Sequence, residues 1–492
     1  MRNILSESRQ YVFHDLSLGE AASIRHCDLL ILGAGPAGIT LAIEVSKAAP
    51  GMTIVLAEAG GLERSDSSEL RLYDGESSGD SEYPINATRL RYFGGTSGHW
   101  GGWCKPLDEI DFADRPAAGS VGWPLDAAEL QAHYAAAADW LELGSPDFNT
   151  AHLQGAVRNS LLDFSSNEWF CNRMFRLSPP TRFGERYREQ ISDSKQIDCL
   201  LNAAAVSYAM RGRRLHEVSL SGLHGNRVKV QADRVVVAMG GIESTRHLLF
   251  MQSQGWLLPG FTSGHLGAGF ADHFGPQPGM LTLPAGLKYL RSRSDDLPVM
   301  PIITPTEHAL RQHNWRNACM LLHPSHKQTV LPREYLQQRL FAGTEHWHYM
   351  TQLILEPARN PASQIKLATD KDALGLPRVQ LHWDILADDY RSGLDIYTKL
   401  VKTLSTQGIG RGQLRQLNPE QLRRNGNAVA HHMGSTRMAA KAEHGVVDRN
   451  LRVFGSDNLY VVSSAVFPSF GYSNPTMTIV ALAHRLAQHL RN

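Results

Sequence analysis

Two adjacent histidines near the C-terminus are the side chains of this chain best suited to move a proton. They are His431 and His432, and Asn474 follows them in a Gly-Tyr-Ser-Asn-Pro-Thr segment. Imidazole titrates near neutrality, so a histidine can accept the proton of a hydroxyl group. Histidines could instead bind a metal, and His346 and His348 share one face of a strand. No third ligand stands at a recognisable spacing, so we predict no metal.

A glycine-rich turn near the N-terminus has the pattern of a dinucleotide-binding loop. An apolar run typical of a buried strand precedes it, and a stretch with helical apolar spacing follows it. Gly33 permits the tight turn, Gly35 lets backbone approach a pyrophosphate, and Gly38 lets helix and strand pack closely. The predicted binding residues of this turn are Gly33, Gly35, Pro36, Ala37 and Gly38.

A carboxylate stands where such a loop needs one. The strand-like run Thr53–Ala57 ends at Glu58, twenty positions after Gly38. A carboxylate there accepts the ribose hydroxyls of an adenosine, and it argues against a 2′-phosphate. FAD or NAD therefore fits better than NADP. The alternative is a βαβ unit whose glycine turn binds nothing.

Two further segments are suited to lie against a cofactor. The strand-like run Arg234–Met239 leads into Gly240 and Gly241 and then a helix-like stretch. The segment Gly94–Gly102 is too rich in glycine for the interior of a helix or strand, and it is better explained as backbone lying against a flat ring system. Its predicted contact residues are Gly95, Thr96, Ser97, His99, Trp100, Gly101 and Gly102.

The last helix begins at the candidate proton-transfer residues. Asparagine is a preferred N-cap and proline a preferred first residue, so Asn474 and Pro475 predict a helix start, with Thr476–Leu490 apolar at helical spacing. The positive end of this helix would then face the cofactor and stabilise negative charge that develops there.

These pieces predict an α/β fold with a discontinuous Rossmann-like domain. We place the dinucleotide-binding domain at residues 1–120, 196–275 and 425–492, with an antiparallel meander over Leu200–Val230 that includes the candidate Val206. Strand-like runs such as Tyr349–Leu355 and Val379–Trp383 predict a second, α+β substrate-binding domain on an antiparallel sheet at 276–424. Residues 121–195 are predicted to form a helical or loop insert near the entrance.

Composition excludes several classes of function. The 492 residues carry a net charge of +1 without a basic block, which disfavours nucleic acid as a partner. No apolar run is long enough to span a membrane, and the first residues lack the apolar core of a signal peptide. The 5 cysteines are scattered and contain no CxxC pair, so we expect a reduced, cytoplasmic protein without structural zinc.

The motifs together resemble the glucose–methanol–choline (GMC) oxidoreductases. The glycine fingerprint, the Gly94–Gly102 segment, the Gly240–Gly241 doublet and the C-terminal His-His-Met-Gly and Asn-Pro-Thr segments occur in the order of that family. His99–Trp100, and an asparagine rather than a second histidine at Asn474, look most like the pyranose 2-oxidase branch and its bacterial relatives. The resemblance implies FAD rather than NAD.

The resemblance also implies roles for individual residues. His431 would accept the hydroxyl proton, Asn474 would orient the hydroxyl, and the hydride would pass to flavin N5, while His432 would point away. His99 resembles the histidine that pyranose oxidases join covalently to the flavin. Gly98, Gly101 and Gly102 depart from that pattern, so packing of His99 and Trp100 on the flavin ring is the alternative.

Three functions are consistent with the sequence. The leading one is FAD-dependent oxidation of an alcohol, such as a sugar, a glycoside or another secondary alcohol including a pathway-specific metabolite, with oxygen, a quinone or a redox protein as electron acceptor. The second is a lyase on the same fold, like the hydroxynitrile lyases. The third, a flavoprotein subunit without enzymatic activity, is disfavoured because such a protein has no need of a base at His431.

Overall fold

The chain folds around three β-sheets. In the computed structural model, the described residues are 13–18, 24–65, 70–80, 83–284, 286–324, 346–414 and 427–491. Within them, the sheets have eight, ten and three strands. The side chain of the metal candidate His346 and the predicted domain boundary at 425 lie outside the described residues.

The eight-stranded sheet is the predicted dinucleotide-binding sheet. Its central strands are parallel, and the antiparallel meander forms one edge. In spatial order its strands are His14–Asp15, Ile197–Leu201, Ile54–Ala57, Ile24–Leu32, Arg227–Val237, Arg214–Ser221 and Ala204–Arg211, and Leu459–Val461 also pairs with Arg227–Val237. The α/β prediction and the discontinuous Rossmann-like sheet are confirmed.

Continuous apolar runs explain why the central strands are buried on both faces. Leu29, Leu30 and Ile31 in the first long strand are fully buried, as expected for a parallel sheet covered by helices. The first helix, Pro36–Ala48, packs against the last helix, Pro475–Leu490. This packing brings the two ends of the described chain together.

The ten-stranded sheet is the predicted antiparallel sheet of the second domain. Its strands are Arg411–Leu414, Gly279–Pro284, His346–Leu355, Ala318–Pro324, Leu297–Pro305, Phe170–Leu177 and Trp103–Cys104, with Phe274–Gly275, Ser292–Ser294 and Asn427–Ala428 at its margins. The description of residues 121–195 as helical or loop is wrong at Phe170–Leu177, which pairs with Leu297–Pro305. Polar and charged residues interrupt the apolar alternation of this strand and hide it in the sequence.

The small third sheet joins early and late chain segments. Its strands are Gln364–Lys371, Pro377–Trp383 and Gly75–Gly79. The Val379–Trp383 run is therefore a strand, as predicted, but it lies in this sheet and not in the ten-stranded one.

Helices pack around the sheets, and three of them have their N-termini at the candidate site. They are Pro36–Ala48, Glu109–Phe112, Ala127–Trp140, Gly155–Asn159, Phe183–Arg186, Arg188–Ser192, Gly240–Ser253, Pro259–Thr262, Glu307–His313, Ala387–Thr406 and Pro475–Leu490. Among the described residues, no helix combines the length and apolar character needed to cross a membrane.

Candidate active site

A cavity of about 580 Å³ lies at the carboxyl ends of the parallel strands. Leu32, Ala57, Ala238 and Val462 line it, and each stands at or just after the end of a strand of the eight-stranded sheet. Ligands of open α/β sheets bind at this edge, because the connecting loops and helix N-termini meet there. The volume is in the range of small-molecule and cofactor sites.

Three helices begin on the wall of this cavity. Their first residues follow Gly35, Met239 and Asn474, all of which line the cavity, and no side chain caps any of the three. The first N–H groups of a helix carry partial positive charge and need acceptors. The cavity therefore offers three convergent positive ends to an anionic ligand.

The missing side chains of three glycines serve two purposes: Gly38 allows close packing within the protein, and Gly35 and Gly240 leave open space in the cavity. A Cβ added to Gly38 would lie 1.9 Å from the Gly33 carbonyl oxygen, so Gly38 permits the close packing of helix on strand. A Cβ added to Gly35 or Gly240 would meet no protein atom within 4 Å. Because both residues line the cavity, a bound ligand can occupy that space and contact their backbone.

The Glu58 side chain is hydrogen-bonded to the backbone of the glycine turn. Its carboxylate accepts hydrogen bonds from the backbone N–H groups of Ala34, at 2.8 Å, and Gly60, at 3.0 Å. Burial raises the pKa of Glu58, and these donors together with Arg91 oppose that rise. The carboxylate is thus fixed at the end of its strand, on the cavity wall.

The Gly94–Gly102 segment forms another wall and is held from outside. Gly95–Gly98 is one turn of 3-10 helix, and Gly94 and Gly95 have the left-handed backbone that favours glycine. The Arg182 guanidinium donates to the Ser97 carbonyl, and the Trp100 indole N–H donates to the Thr181 carbonyl at 2.9 Å. These bonds fix the His99–Trp100 backbone and ring beside the cavity.

Most of the predicted site residues meet at this one cavity. Those that line it are His431, Asn474, Gly33, Gly35, Pro36, Ala37, Glu58, Gly95, Thr96, Ser97, His99, Trp100, Gly101, Gly240, Pro475 and Thr476. Gly38, Gly102 and Val206 do not line it. Alternate residues of a strand face opposite ways, so Ala203 and Ala205 face the cavity where Val206 does not.

His431 is held in place by a buried carboxylate. The Asp272 carboxylate accepts hydrogen bonds from the backbone N–H groups of His431, at 2.9 Å, and Ala430, at 2.8 Å, and from the Tyr83 hydroxyl at 2.7 Å. Burial raises the pKa of Asp272 to about 7, and these donors oppose the rise. Ala430 has a φ of 66°, which is strained for a residue with a side chain. Asp272 thereby holds a strained turn that sets the position of His431.

The two adjacent histidines have different surroundings. His431 Nδ1 lies 2.8 Å from His273 Nδ1, while His432 Nε2 lies 3.0 Å from the Thr88 hydroxyl. The His432 ring packs against Tyr83 and Phe270. His432 also lines the cavity, and that its ring points away from the substrate stays a prediction.

Burial keeps both imidazoles in their neutral form. Burial, with the neighbouring His273 and His432, holds the pKa of His431 well below its usual range. Burial lowers the pKa of His432 to about 3. A neutral imidazole can accept a proton, so His431 is in the state that a general base requires.

Asn474 is the last residue before the C-terminal helix, as predicted, but it does not cap that helix with its side chain. Its Oδ1 atom is buried and has no hydrogen-bond partner among the described residues. A buried polar atom without a partner is costly, and a ligand in the cavity would remove that cost. This amide is therefore available to a bound molecule.

Sequence reasoning missed an arginine-rich part of the wall. Thr88, Arg89 and Arg91 line the cavity, just before the glycine segment. Arg89 donates to the buried Glu243 carboxylate at 3.0 Å, whereas Arg91 Nε and Nη1 are buried without a partner among the described residues. Two arginines two positions apart beside a glycine run are a signal that could have indicated anion binding.

Asp272 and His273 were also missed. Neither belongs to a local motif, and their partners His431 and Ala430 lie more than 150 positions further along the chain. An Asp-His dipeptide in an otherwise apolar stretch was the one available signal, and it is a weak one.

Comparison with solved structures identifies the fold. Pyridoxine 4-oxidase from Mesorbium loti is 16% identical, with a TM-score of 0.57, over 94% of this chain and 99% of that chain. An Aspergillus oryzae RIB40 formate oxidase variant, studied for its FAD modification, is 15% identical with a TM-score of 0.59, over 96% of this chain and 99% of that chain. At such identities the likeness concerns the fold alone.

Sequence comparison adds the family. Residues 359–483, which contain His431 and Asn474, match a family profile described as GMC oxidoreductase. This segment of the chain is thus similar to the GMC oxidoreductases. A cholesterol oxidase from Acinetobacter baumannii is 43% identical over 62 residues, which is 13% of this chain and only 11% of that protein. The match to this curated relative thus spans a small part of its length.

The cavity fits the cofactor FAD, as predicted. The uncapped N-terminus of Pro36–Ala48 and the Arg91 Nε and Nη1 atoms suit a pyrophosphate, and Glu58 suits an adenosine ribose. The open space over Gly35 and Gly240 lets a ligand reach the backbone. The pyranose 2-oxidase branch and the individual contacts to FAD remain predictions.

Proposed function

We propose that this chain is an FAD-dependent oxidoreductase that oxidises an alcohol CH–OH to a carbonyl. The resemblance of His99–Trp100 and Asn474 to the pyranose oxidase branch favours a sugar, a glycoside or another secondary alcohol as substrate. The observation that carries the proposal is that a neutral imidazole, His431, and an unpartnered amide oxygen, on Asn474, share the wall of the dinucleotide cavity.

In this proposal the two side chains act on the same hydroxyl group. His431 accepts the hydroxyl proton, for which a neutral imidazole is suited. Asn474 holds the hydroxyl by hydrogen bonding, and its position at the start of a helix fixes its backbone. Bound FAD supplies the acceptor for the hydride that leaves the carbinol carbon.

The last helix contributes through its charge distribution. Its N-terminal residues Pro475 and Thr476 line the cavity, so its positive end faces the site. Negative charge that develops at this end of the cavity during the reaction is thereby stabilised.

Anaerobic titration of the FAD-loaded protein tests the proposal. A panel of pyranoses, glycosides and simple secondary alcohols is added while the flavin absorbance near ~450 nm is followed. We expect one class to bleach the band, and subsequent mixing with oxygen or a quinone then identifies the electron acceptor. A bound flavin that no member of the panel bleaches would contradict oxidation of these substrate classes and favour a pathway-specific substrate or a lyase on this fold.

A covalent bond from His99 to the flavin is a separate proposal. His99 lines the cavity beside Trp100, and burial lowers its pKa, with Arg64 and Arg182 adding to the effect. Acid precipitation of the holoprotein should leave the flavin with the protein, and His99→Ala should release it. Release of flavin from the unmodified protein would show that His99 only packs on the ring.

A further inference from the structure

A chain of hydrogen bonds continues from His431 into the protein interior. His273 is fully buried, its Nδ1 lies 2.8 Å from His431 Nδ1, and its Nε2 lies 2.8 Å from the Gly471 carbonyl oxygen. Segment 271–273 is fixed beside segment 430–433, because Ala271 and Met433 exchange two backbone hydrogen bonds. The arrangement thus connects His431 and the loop before Asn474 through one imidazole.

The Gly471 carbonyl oxygen, at the far end of these hydrogen bonds, determines which ring nitrogens carry a hydrogen. A carbonyl oxygen can only accept, so His273 Nε2 carries a hydrogen and donates to Gly471. In a neutral imidazole the other nitrogen is then an acceptor, so His273 Nδ1 accepts and His431 Nδ1 donates. A neutral His431 with its hydrogen on Nδ1 leaves Nε2 with a free lone pair.

We propose that His273 is a positioning residue that holds His431 in the tautomer with a bare Nε2, the atom that accepts the substrate's proton. This inference rests on the proposed function, because it names the nitrogen and the supporting residue of that same site. The proton moves from the hydroxyl oxygen to His431 Nε2, which becomes an N–H. The positive charge of the resulting imidazolium faces His273 Nδ1, which remains the acceptor.

The groups around His273 and His431 favour a single assignment of the hydrogens on the two rings. Burial lowers the pKa of His273 to about 4, so it is neutral near pH 7 and cannot donate from both nitrogens. The ionisable groups nearby are Asp272, which binds the backbone of His431 and not its ring, and His432, which is neutral and bonded to Thr88. Neither competes for His431 Nδ1.

A matched pair of substitutions tests the role of His273. In His273→Asn the side-chain oxygen can occupy the place of Nδ1 and accept from His431, whereas His273→Leu has a similar shape and no acceptor. Both variants lose the bond to Gly471, so the difference between them isolates the acceptor. With an alcohol that bleaches the flavin, we expect His273→Leu to reduce the flavin at least about tenfold more slowly than His273→Asn, because an unpaired buried N–H favours the other tautomer.

Nitrogen NMR gives a readout that does not depend on turnover. In the FAD-loaded protein labelled with 15N-histidine, the signals of His431 are assigned by their loss in His431→Gln. Couplings to the ring hydrogens distinguish the two nitrogens. We expect Nδ1 to be protonated and Nε2 bare in the unmodified protein and in His273→Asn, with the hydrogen shifted toward Nε2 in His273→Leu.

The two readouts separate this inference from the proposed function. A His431 protonated on Nε2 in the unmodified protein, or equal rates in the Asn and Leu variants, would overturn the role of His273 even if alcohols bleach the flavin. If no alcohol of the panel bleaches the flavin, oxidation of these substrate classes fails as the function, and the nitrogen spectrum still decides the tautomer.

Discussion

The two ends of the dinucleotide cavity are built in different ways. At the end where we expect the phosphates to bind, the wall is formed by the glycine turn, the N-terminus of Pro36–Ala48 and the strand end that carries Glu58. At the reaction end, side chains from distant segments meet, with His431 supported by Asp272 and His273. The first end depends on local sequence, and the second depends on the tertiary fold.

This difference predicts which substitutions separate binding from chemistry. A change at the phosphate end should alter cofactor affinity, because backbone approach needs space. A change at His431 or Asn474 should alter the rate while the cofactor stays bound, because neither side chain is proposed to hold the dinucleotide. The four predictions below test this division.

The largest effect is expected for His431→Gln. Loss of a general base typically costs about 10²–10⁴ in rate, so flavin reduction by the alcohol should fall by that factor. Stopped-flow absorbance measures the rate, and the ratio of flavin to protein is the control and should remain unchanged. Normal flavin reduction in this variant would show that another group accepts the proton.

Asn474→Ala should have the next largest effect. Losing one hydrogen bond to the hydroxyl costs about 1–3 kcal/mol, which corresponds to roughly tenfold to a hundredfold in the rate of flavin reduction. Asn474→His is the matched variant, because its ring can still bond to the hydroxyl, and it should lose less. Equal losses in both variants would argue that Asn474 acts only at the helix start.

Two glycines of the same turn should respond differently to alanine. In Gly35→Ala the new Cβ meets no protein atom, so the melting temperature of the flavin-free protein should hold while FAD affinity falls by at least about tenfold. In Gly38→Ala the Cβ meets the Gly33 carbonyl oxygen at 1.9 Å, so the fold itself loses about 1–3 kcal/mol. Full FAD affinity in Gly35→Ala would mean that the cofactor does not approach this backbone.

The smallest effect on the reaction is expected for His432→Gln, which should instead change acid stability. The folded pKa of His432, about 3, lies below the ordinary value of 6.5, so the unfolded chain binds more protons between these values. Stability is therefore lost as pH falls, by about 2 kcal/mol from this group between pH 7 and pH 5. Denaturant unfolding at both pH values measures the free energy of unfolding, which should change less between pH 7 and pH 5 in the variant than in the unmodified protein. An equal change in both proteins would show that His432 is not held neutral by burial.

The same division explains what the sequence could predict. The glycine turn, its flanking strand and helix, Glu58 and the helix start at Asn474 are all encoded within short windows of sequence, and the structure has them as expected. His273 acts through a contact with a residue 158 positions away, and no local periodicity reports such a contact. The strand Phe170–Leu177 was missed because its polar residues break the alternation on which strand prediction depends.

The packing of the first helix against the last has a consequence for how the protein is made. Pro36–Ala48 leaves the ribosome early, whereas its partner Pro475–Leu490 and the strand Leu459–Val461 emerge much later. Until then the cavity beside the glycine turn lacks the part of its wall that these two elements form. The cavity wall is therefore complete only after these late elements are made, and a chain without Pro475–Leu490 would lose both Pro475 and Thr476 from the wall and the packing on Pro36–Ala48.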